Sequence, residues 1–381
     1  MDTHRRCRGR TFRQTLFMAT ATLLALTACT SAAAVRQPAA PSRASKPAVA
    51  DPVLSVRGNQ LVDQYGDVVK LTGVDRSGTE YACAEGWGIW DGPTDTDAAI
   101  QAMTAWHINA VRIPLNEDCW LGINGVKAAD SGARYQSAIA DYVARLERFG
   151  ITPILNLHFS APGGKIPDGQ APMADEDHSP AFWRSVATYF KDDRHLIFDL
   201  FNEPYPDSNQ DTAAAWACVL HGGTCSGVSF QTAGMQQLVD VVRATGATQP
   251  LLVAGPQYAG DLDSWLRYEP HDPLHRLVAS IHIYTPNGSS CDTQGCWDSQ
   301  IAPLAAKVPV VEGEIGSTNC TGSSIGPLLN WSDAHGIGYL AWAWNVGSCT
   351  GEPSLITSWA GSPTQTYGEY YHDHLAALHR R

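Results

Sequence analysis

Short apolar runs, rich in β-branched residues, recur along the chain at the intervals that an alternation of strands and helices would produce. Eight of these runs begin at Val68, Asn109, Thr152, Leu196, Leu251, Leu277, Val308 and Ile337. Runs that are apolar on both faces are typical of parallel strands covered on both sides. The pattern therefore predicts eight buried parallel strands.

Segments with helical periodicity lie between these runs. The clearest span residues 96–107 after a cap at Asp95 or Thr94, 135–149 before Gly150, 180–191 after a cap at Ser179, and 232–244 before Gly246. Eight strand–helix pairs in about 320 residues predict a single (β/α)8 TIM barrel. A doubly wound open sheet is the alternative, but no G-x-G-x-x-G motif follows the first strand. Short runs at 54–56 and 61–63 predict a small N-terminal β-hairpin.

The composition excludes two broad classes of protein. Hydrophobic residues make up 44% and charged residues 17% of the 381 positions, which excludes a disordered chain. The formal net charge is -12, and the body of the chain contains no basic stretch. Nucleic acid is therefore not an expected partner.

The N-terminal residues have the pattern of an export signal. Five arginines precede an apolar stretch at 16–26 that is too short to span a bilayer as a helix. We predict a signal peptide at residues 1–28, a tether rich in Ala, Pro and Ser at 29–51, and the barrel domain at 52–381. Leu26-Thr27-Ala28-Cys29 resembles the lipobox of bacterial lipoproteins, which implies that a lipid on Cys29 is the one membrane attachment. The alternative is cleavage after Ala34, which would leave an extracellular, freely secreted protein.

Eight cysteines remain besides Cys7 and Cys29, which suits an exported protein with disulfides. The number of cysteines alone permits many pairings. We favour Cys83 with Cys119, Cys218 with Cys225, Cys291 with Cys296, and Cys320 with Cys349, because each pair would close a predicted loop or join neighbouring loops. A zinc site is the alternative, but the spacings contain no C-x-x-C pair, so no metal is expected.

Polar residues interrupt the apolar pattern where the predicted strands end. They are Arg112, His158, Asn202 with Glu203, His282 with Tyr284, and Glu314, and the aromatic Trp342 ends the last strand. In a (β/α)8 barrel the carboxyl ends of all strands meet at one mouth, where active sites are built. Buried charges are costly without partners, so this cluster predicts a functional site.

Two residues of this cluster are carboxylates on opposite sides of the predicted mouth. Glu203 ends the fourth strand and Glu314 ends the seventh. Glycoside hydrolysis needs such a pair, with one carboxyl protonated and the other ionised. Arg112 and a hydrogen bond from Tyr284 would keep Glu314 ionised. The Asn202 amide would bind a sugar 2-hydroxyl beside Glu203, so Glu203 is the expected acid/base and Glu314 the expected nucleophile.

Six motifs resemble those of glycoside hydrolase family 5, the cellulase-type retaining hydrolases. They are Asn109-Ala110-Val111-Arg112-Ile113-Pro114, Leu155-Asn156-Leu157-His158, Phe201-Asn202-Glu203-Pro204, His282-Ile283-Tyr284, Gly313-Glu314-Ile315-Gly316 and Ala341-Trp342-Ala343-Trp344. The resemblance covers residues 52–381 and implies a (β/α)8 barrel, a carbohydrate substrate, a double-displacement mechanism and no cofactor. It implies the same roles for the two glutamates, and it places around the -1 sugar Arg112, His158, Asn202, His282, Tyr284 and Trp342.

Departures from the family pattern indicate a less characterised bacterial subgroup. Asn156 stands where members often carry Asp, and the segments 77–93 and 160–178 differ from those of well-studied endoglucanases. A β-glucan is the expected substrate and a β-mannan is the alternative. A non-catalytic sugar-binding surface lipoprotein is the alternative of another class. A serine esterase is a further alternative, because Gly322-Ser323-Ser324-Ile325-Gly326 formally matches the G-x-S-x-G motif.

Aromatic residues in the predicted strand-to-helix loops are candidates for stacking on sugar rings, with core packing as the alternative. They are Trp87, Trp90, Trp120, Phe159, Tyr205, Trp216, Tyr258 and Trp297. The tryptophans expected to be structural, because they lie in helical segments, are Trp106, Trp183, Trp265 and Trp331. The acidic loop at 160–178 is expected either to wall one side of a cleft or to be a solvated face.

Overall fold

The computed structural model describes residues 52–94, 96–349 and 352–380. The predicted signal peptide, the lipobox at Cys29 and the tether at 29–51 lie outside these residues. Among the helices of the described ranges, none has the length and apolar character needed to cross a membrane.

The strands and helices alternate through most of the chain. The strands are β1 (Ser55–Arg57), β2 (Gln60–Val62), β3 (Thr72–Asp75), β4 (Ala110–Asn116), β5 (Thr152–Phe159), β6 (Ile197–Asp199), β7 (Gly222–Thr224), β8 (Gln231–Ala233), β9 (Leu251–Ala254), β10 (Leu277–Thr285), β11 (Val310–Ser317), β12 (Gly338–Ala341), β13 (Ile356–Ser358) and β14 (Ser362–Pro363). The helices are α1 (Asp97–Ala105), α2 (Glu117–Leu121), α3 (Ala133–Arg148), α4 (Ser179–Phe190), α5 (Pro206–Asn209), α6 (Ala213–His221), α7 (Met235–Ala244), α8 (Gln294–Cys296), α9 (Ala302–Ala305), α10 (Gly322–His335) and α11 (Tyr367–Leu378).

Eight parallel strands close into a barrel in the order β3, β4, β5, β6, β9, β10, β11 and β12. Each of them lies within or overlaps one of the apolar runs, so the (β/α)8 prediction is confirmed and the open-sheet alternative is wrong. The strand register brings polar residues together at one end of the barrel. Asp75 pairs with Arg112 between β3 and β4, and His282 pairs with Glu314 between β10 and β11.

The predicted N-terminal hairpin is formed by β1 and β2, which pair antiparallel. Its Leu54 and Leu61 pack in one buried cluster with side chains from the barrel strands, including Ala110, Ile154 and Leu252. The hairpin residues thereby extend the apolar packing inside the barrel. A second, larger cluster fills the space between the strands and the surrounding helices.

All four predicted helix starts are wrong by one to three residues, and α3 begins at Ala133, two residues before the predicted start. The cap of α1 is Thr96, whose side chain accepts a hydrogen bond from the backbone of Ala99, and not Thr94 or Asp95. Ser179 is the first residue of α4, because its hydroxyl bonds buried carboxylates instead of capping the helix. Helix α7 begins only at Met235, because Thr232 belongs to the β7–β8 hairpin.

The four predicted disulfides form: Cys83–Cys119, Cys218–Cys225, Cys291–Cys296 and Cys320–Cys349. Each bridge lies in or between segments that follow the carboxyl ends of barrel strands. The bridges therefore fasten the loops that surround the mouth of the barrel.

Candidate active site

The two predicted carboxylates lie together at the mouth of the barrel. Glu314 lies within β11. Glu203 lies in the loop after β6 and not at the end of that strand, because β6 ends at Asp199. A carboxylate oxygen of each glutamate and a ring nitrogen of His282 all lie within 4.8 Å of one another. Retaining glycosidases hold their two carboxyl groups roughly 5 Å apart, whereas inverting enzymes leave room for a water between them.

Two donors contact Glu314, as the sequence predicts. Arg112 donates from Nη1 to Oε1 at 2.7 Å, and the Tyr284 hydroxyl donates to Oε2 at 2.6 Å. Burial raises the pKa of Tyr284 well above its ordinary value, so the phenol remains a donor at working pH. Each oxygen of the Glu314 carboxyl therefore has a donor, and one of the two donors carries a positive charge.

The guanidinium of Arg112 also contacts residues that the sequence analysis missed. Arg112 donates to Asp75 at 2.9 Å and to Asp199 at 2.7 Å, and all three side chains are buried. Burial raises the pKa of Asp75 well above its ordinary value and that of Asp199 to about 6, although the charge of Arg112 acts in the opposite direction. Both aspartates are the last residues of their strands, which is the one sequence signal that could have identified them.

Glu203 has different surroundings. The ring nitrogen Nδ1 of His282 lies 2.8 Å from Oε1, and the Gln170 amide donates to Oε2 at 2.6 Å. Burial raises the pKa of Glu203 to about 7, partly offset by the Gln170 hydrogen bond and the charge of Arg112. Burial also lowers the pKa of His282 to about 4, so this ring is neutral near pH 7 and adds no positive charge. Glu203 can therefore hold a proton close to neutral pH.

Three of the predicted sugar-binding residues lie at the cleft surface and three lie behind it. His158, Tyr284 and Trp342 line the cleft with the two glutamates. The His158 and Trp342 rings are stacked, with centroids 5.6 Å apart. By contrast, three side chains lie behind the cleft surface and are at most 1% exposed: Arg112, Asn202 and His282.

Asn202 is tied into this buried layer by both ends of its amide. Its oxygen accepts from Arg112 at 2.7 Å, and its nitrogen lies 3.4 Å from Nε2 of His158. Nδ1 of His158 lies 2.9 Å from the side-chain oxygen of Asn156. Asn156 thus supports His158 at the position where family members often carry Asp. Burial and neighbouring positive charge lower the pKa of His158 well below its ordinary value, so the imidazole is neutral.

The cleft has a volume of about 590 Å³, and amides and hydroxyls supply most of the polar groups of its rim. Residues that the sequence analysis missed contribute much of this rim: Gln170, Asn209, Gln257, Asn287, Ser289, Ser290, Glu352 and Pro353. Except for Asn209, the last residue of the short α5, they lie in loops, and none belongs to a segment with apolar periodicity, so no pattern in the sequence marks them. Of the two alternatives for the 160–178 loop, its exposed acidic residues Asp168, Glu176 and Asp177 fit the solvated face, because Gln170 is the residue of this loop that lines the cleft.

Left-handed backbone shapes the rim beside Glu203. Asp207, Ser208 and Asn209 all have positive φ, and so do Gln257 and Tyr258 of the facing segment. Such conformations are unfavourable for residues other than glycine and are concentrated at functional sites. The Gln257 amide donates to the backbone oxygen of Asn209 at 3.4 Å, which joins the two segments.

The predicted loop aromatics divide between the cleft and the core. Tyr258 is 41% exposed, lines the cleft and stacks on Tyr205 with ring centroids 4.4 Å apart. Trp120, Trp216 and Trp297 are buried in the core and cannot stack on a sugar. The four tryptophans expected to be structural are all buried: Trp106, Trp183, Trp265 and Trp331.

Two alternative chemistries fit the described residues less well. Ser324 lies in the first turn of α10, and β11 already ends at Ser317, so the G-x-S-x-G match is not the strand–turn–helix elbow of an esterase. Glu203, His282 and Glu314 present atoms close enough to share a cation. Arg112, Tyr284 and Gln170, however, already contact the same carboxylates.

Comparison with known proteins identifies the family. The chain matches the model of Cellulase (glycosyl hydrolase family 5) over residues 62–348. Cellulase/esterase CelE of Acetivibrio thermocellus is 25% identical over 260 residues, which are 63% of this chain and 30% of that protein. Endoglucanase B of Ruminococcus albus is 26% identical over 233 residues, 55% of this chain and 53% of that protein. The chain therefore spans about half of these curated relatives or less.

Solved structures share the fold. A β-glucanase from Saccharophagus degradans has a TM-score of 0.64 and 20% identity, and the match covers 88% of this chain and 98% of that one. A β-mannanase from Streptomyces thermolilacinus has a TM-score of 0.60 and 20% identity, with 85% and 96% covered. Because the family model matches well over half of its residues, the chain belongs to glycosyl hydrolase family 5.

Proposed function

We propose that this protein is a retaining glycoside hydrolase that cleaves β-linked glucan, with Glu314 as nucleophile and Glu203 as acid/base. The observation that carries the proposal is the pair of glutamates with oxygens within 4.8 Å, set in opposite surroundings. Two donors contact Glu314, whereas burial raises the pKa of Glu203 to about 7. Such a difference divides the roles of acid and nucleophile between two carboxyl groups.

The reaction proceeds in two displacements. The Glu314 carboxylate attacks the anomeric carbon, the bond to the leaving-group oxygen breaks, and Glu203 gives its proton to that oxygen. The product of this step is a glycosyl ester on Glu314. Glu203, now ionised, takes a proton from a water that attacks the anomeric carbon, and the bond to Glu314 breaks. Glu203 is then protonated again, Glu314 is again a carboxylate, and the sugar keeps its anomeric configuration.

The cleft suits a neutral sugar polymer. Amides and hydroxyls dominate its rim, and Trp342 and Tyr258 offer aromatic faces for the C–H surface of pyranose rings. The names of the relatives, endoglucanase and cellulase, support a β-glucan over other β-linked glycans. A β-mannan is the alternative substrate for the same machinery. We also propose that the chain falls in a less characterised bacterial subgroup, in line with the modest identities reported above.

A hydrolysis screen on defined β-linked gluco- and manno-oligosaccharides, followed by NMR of the first-formed anomer, tests the proposal. Retention on glucan is expected, and inversion or no turnover of any β-glycan would overturn it. Glu314→Gln should lower kcat by several orders of magnitude. Glu203→Ala should lose oligosaccharide hydrolysis yet cleave aryl glycosides with good leaving groups, and azide should restore its turnover. The control is the exposed Glu176→Gln, which should match wild type.

We further propose that the protein is exported and anchored by a lipid on Cys29, with residues 29–51 as a tether. The four disulfides of the barrel support an oxidising compartment outside the cytoplasm. Metabolic labelling with a clickable fatty acid, followed by cell fractionation, tests this. The wild-type protein should carry the label and sediment with membranes. The Cys29→Ser variant should do neither. Unlabelled wild type in the medium would instead indicate cleavage and free secretion.

A further inference from the structure

Both oxygens of the Glu203 carboxyl have a protein partner. Oε1 lies 2.8 Å from Nδ1 of His282, and Oε2 accepts from the Gln170 amide at 2.6 Å. His282 comes from barrel strand β10, but Gln170 comes from the loop between β5 and α4. Resting on the proposed function, we propose that Gln170 is the positioning residue of the acid/base: it orients Oε2 of Glu203 and stabilises the charge that this oxygen acquires when the proton leaves.

Three hydrogen bonds from two residues, Asn116 and Tyr205, hold the backbone around Gln170. The Asn116 amide, at the end of β4, donates to the carbonyl of Pro167 at 2.9 Å. The Tyr205 hydroxyl donates to the carbonyl of Gln170 at 3.1 Å, and the backbone N–H of Tyr205 donates to the carbonyl of Pro172 at 2.9 Å. Tyr205 lies two positions after Glu203 in the chain. The segment that follows the acid/base therefore holds the loop that carries its partner.

A buried carboxyl fastens both ends of the same loop. Glu117 accepts from the backbone N–H of Ala161 at 2.9 Å and from the Ser179 hydroxyl at 2.8 Å. Ser179 also lies 3.1 Å from Asp175, and Glu117, Asp175 and Ser179 are all fully buried. These contacts fix the residues before and after Gln170 to the body of the barrel. The position of Gln170 is thus imposed by the fold, although its side chain is exposed.

The amide of Gln170 has a defined effect on the chemistry. An N–H donor stabilises a carboxylate more than a neutral carboxyl, because hydrogen bonds to charged oxygens are stronger. Gln170 therefore opposes the effect of burial and lowers the pKa of Glu203, which lies at about 7 with both influences present. As Glu203 transfers its proton to the leaving group, the same donor stabilises the negative charge that develops on the Glu203 carboxylate. In the second displacement it supports the ionised form that acts as base.

Two substitutions at position 170 test this role. Gln170→Met keeps the length of the side chain and removes the donor, and Gln170→Glu replaces the donor by an acidic group. In wild type, kcat/KM should decrease as the pH rises through about 7, where Glu203 loses its proton; this decrease is the alkaline limb of the pH profile. Gln170→Met should move this limb upward by about half to one pH unit, a shift moderated by solvent access to Gln170. Gln170→Glu should move it further because of like-charge repulsion.

The leaving group supplies an independent readout. Oligosaccharides need protonation of the departing oxygen, whereas aryl glycosides with good leaving groups do not, so Gln170→Met should slow the former about tenfold and the latter much less. The matched control is Gln101→Leu, an exposed glutamine on α1, which should leave both readouts unchanged. An unmoved alkaline limb with equal losses on both substrates would overturn the proposal and make Gln170 only part of the cleft wall. If Glu203→Ala hydrolysed oligosaccharides normally, the proposed function itself would fail.

Discussion

Arg112 and Glu314 form a buried ion pair at the floor of the cleft, with Nη1 2.7 Å from Oε1. The same guanidinium contacts Asp75 and Asp199, so one cation serves three carboxyl groups. Taking these groups out of water is expensive, and only mutual hydrogen bonds compensate for it. The network therefore orients the expected nucleophile. Burying its charged groups costs free energy, which the packing of the rest of the barrel must offset.

Arg112→Lys should impair both activity and stability. An ammonium group cannot donate in four directions as the guanidinium does, so at least one buried carboxyl loses its partner. We expect kcat/KM to fall by roughly two to three orders of magnitude and the free energy of unfolding to fall by about 3 kcal/mol. Aryl-glycoside kinetics and urea denaturation measure the two effects. The control is Arg145→Lys, whose pair with Asp97 lies at the surface and should contribute little; an Arg112→Lys enzyme with wild-type kcat/KM would contradict the role of this network.

Tyr284→Phe should lower turnover with little loss of stability. The substitution removes the hydroxyl that donates to Oε2 of Glu314 at 2.6 Å but keeps the ring. A hydrogen bond to a charged group contributes about 1.5–3 kcal/mol, which corresponds to a loss in kcat/KM of roughly 10- to 100-fold. Thermal denaturation should show a nearly unchanged Tm. The exposed Tyr189→Phe serves as the control, and a loss of Tm in parallel with activity would indicate a structural role instead.

The sequence predicts the barrel and much of its mouth because both depend on patterns of short range. Apolar runs mark the strands, and the polar residues that interrupt these runs mark the mouth, although Arg112 and Glu314 lie inside β4 and β11 and not at their ends as predicted. Asp75 and Asp199 obey the same rule, but an acidic residue at the end of a strand is common and becomes informative only beside a buried cation. The predicted disulfides are confirmed because two of the pairs, Cys218–Cys225 and Cys291–Cys296, are close in the chain, and the other two pairs join loops that follow neighbouring strands.

The remaining features depend on contacts that no local pattern encodes. Gln170 reaches Glu203 through a loop whose ends are held by Glu117, far away in the chain. The predicted start of α7 is wrong because Thr232 pairs in a hairpin beside the Cys218–Cys225 bridge. Thr94, Asp95 and Thr96 are all suitable caps by residue type, and only the backbone geometry selects Thr96.

The disulfides should differ in their contribution to stability. Cys83 and Cys119 are 36 positions apart, whereas Cys291 and Cys296 are 5 apart. By chain entropy, the longer loop should contribute about 4 kcal/mol and the shorter about 2 kcal/mol. Urea denaturation of the Cys83→Ala/Cys119→Ala and Cys291→Ala/Cys296→Ala double variants measures this, and each serves as the comparison for the other. Equal losses would show that packing of the cysteines, and not loop closure, decides their contribution.

Glu312 should make the barrel less stable as the pH rises. This side chain is buried in β11, and its Oε1 accepts from the Ser332 hydroxyl at 2.7 Å. Burial raises its pKa to about 8 from 4.5. The folded state therefore keeps a proton that the unfolded chain releases, and this contribution is complete below about pH 4.5 and is lost as the pH rises through about 8.

Glu312→Gln removes this titration and keeps the shape of the side chain. Between pH 5 and pH 8 the free energy of unfolding of the variant, relative to wild type, should rise by about 3 kcal/mol. Urea denaturation of both proteins at both pH values measures this difference. The contributions of other buried acids, such as Glu80 and Glu117, cancel in it because both proteins contain them. The exposed Glu176→Gln should show no such change. If Glu312→Gln shifted stability by the same amount at both pH values, Glu312 would have no raised pKa in the folded protein, and its carboxyl would be ionised inside the barrel wall.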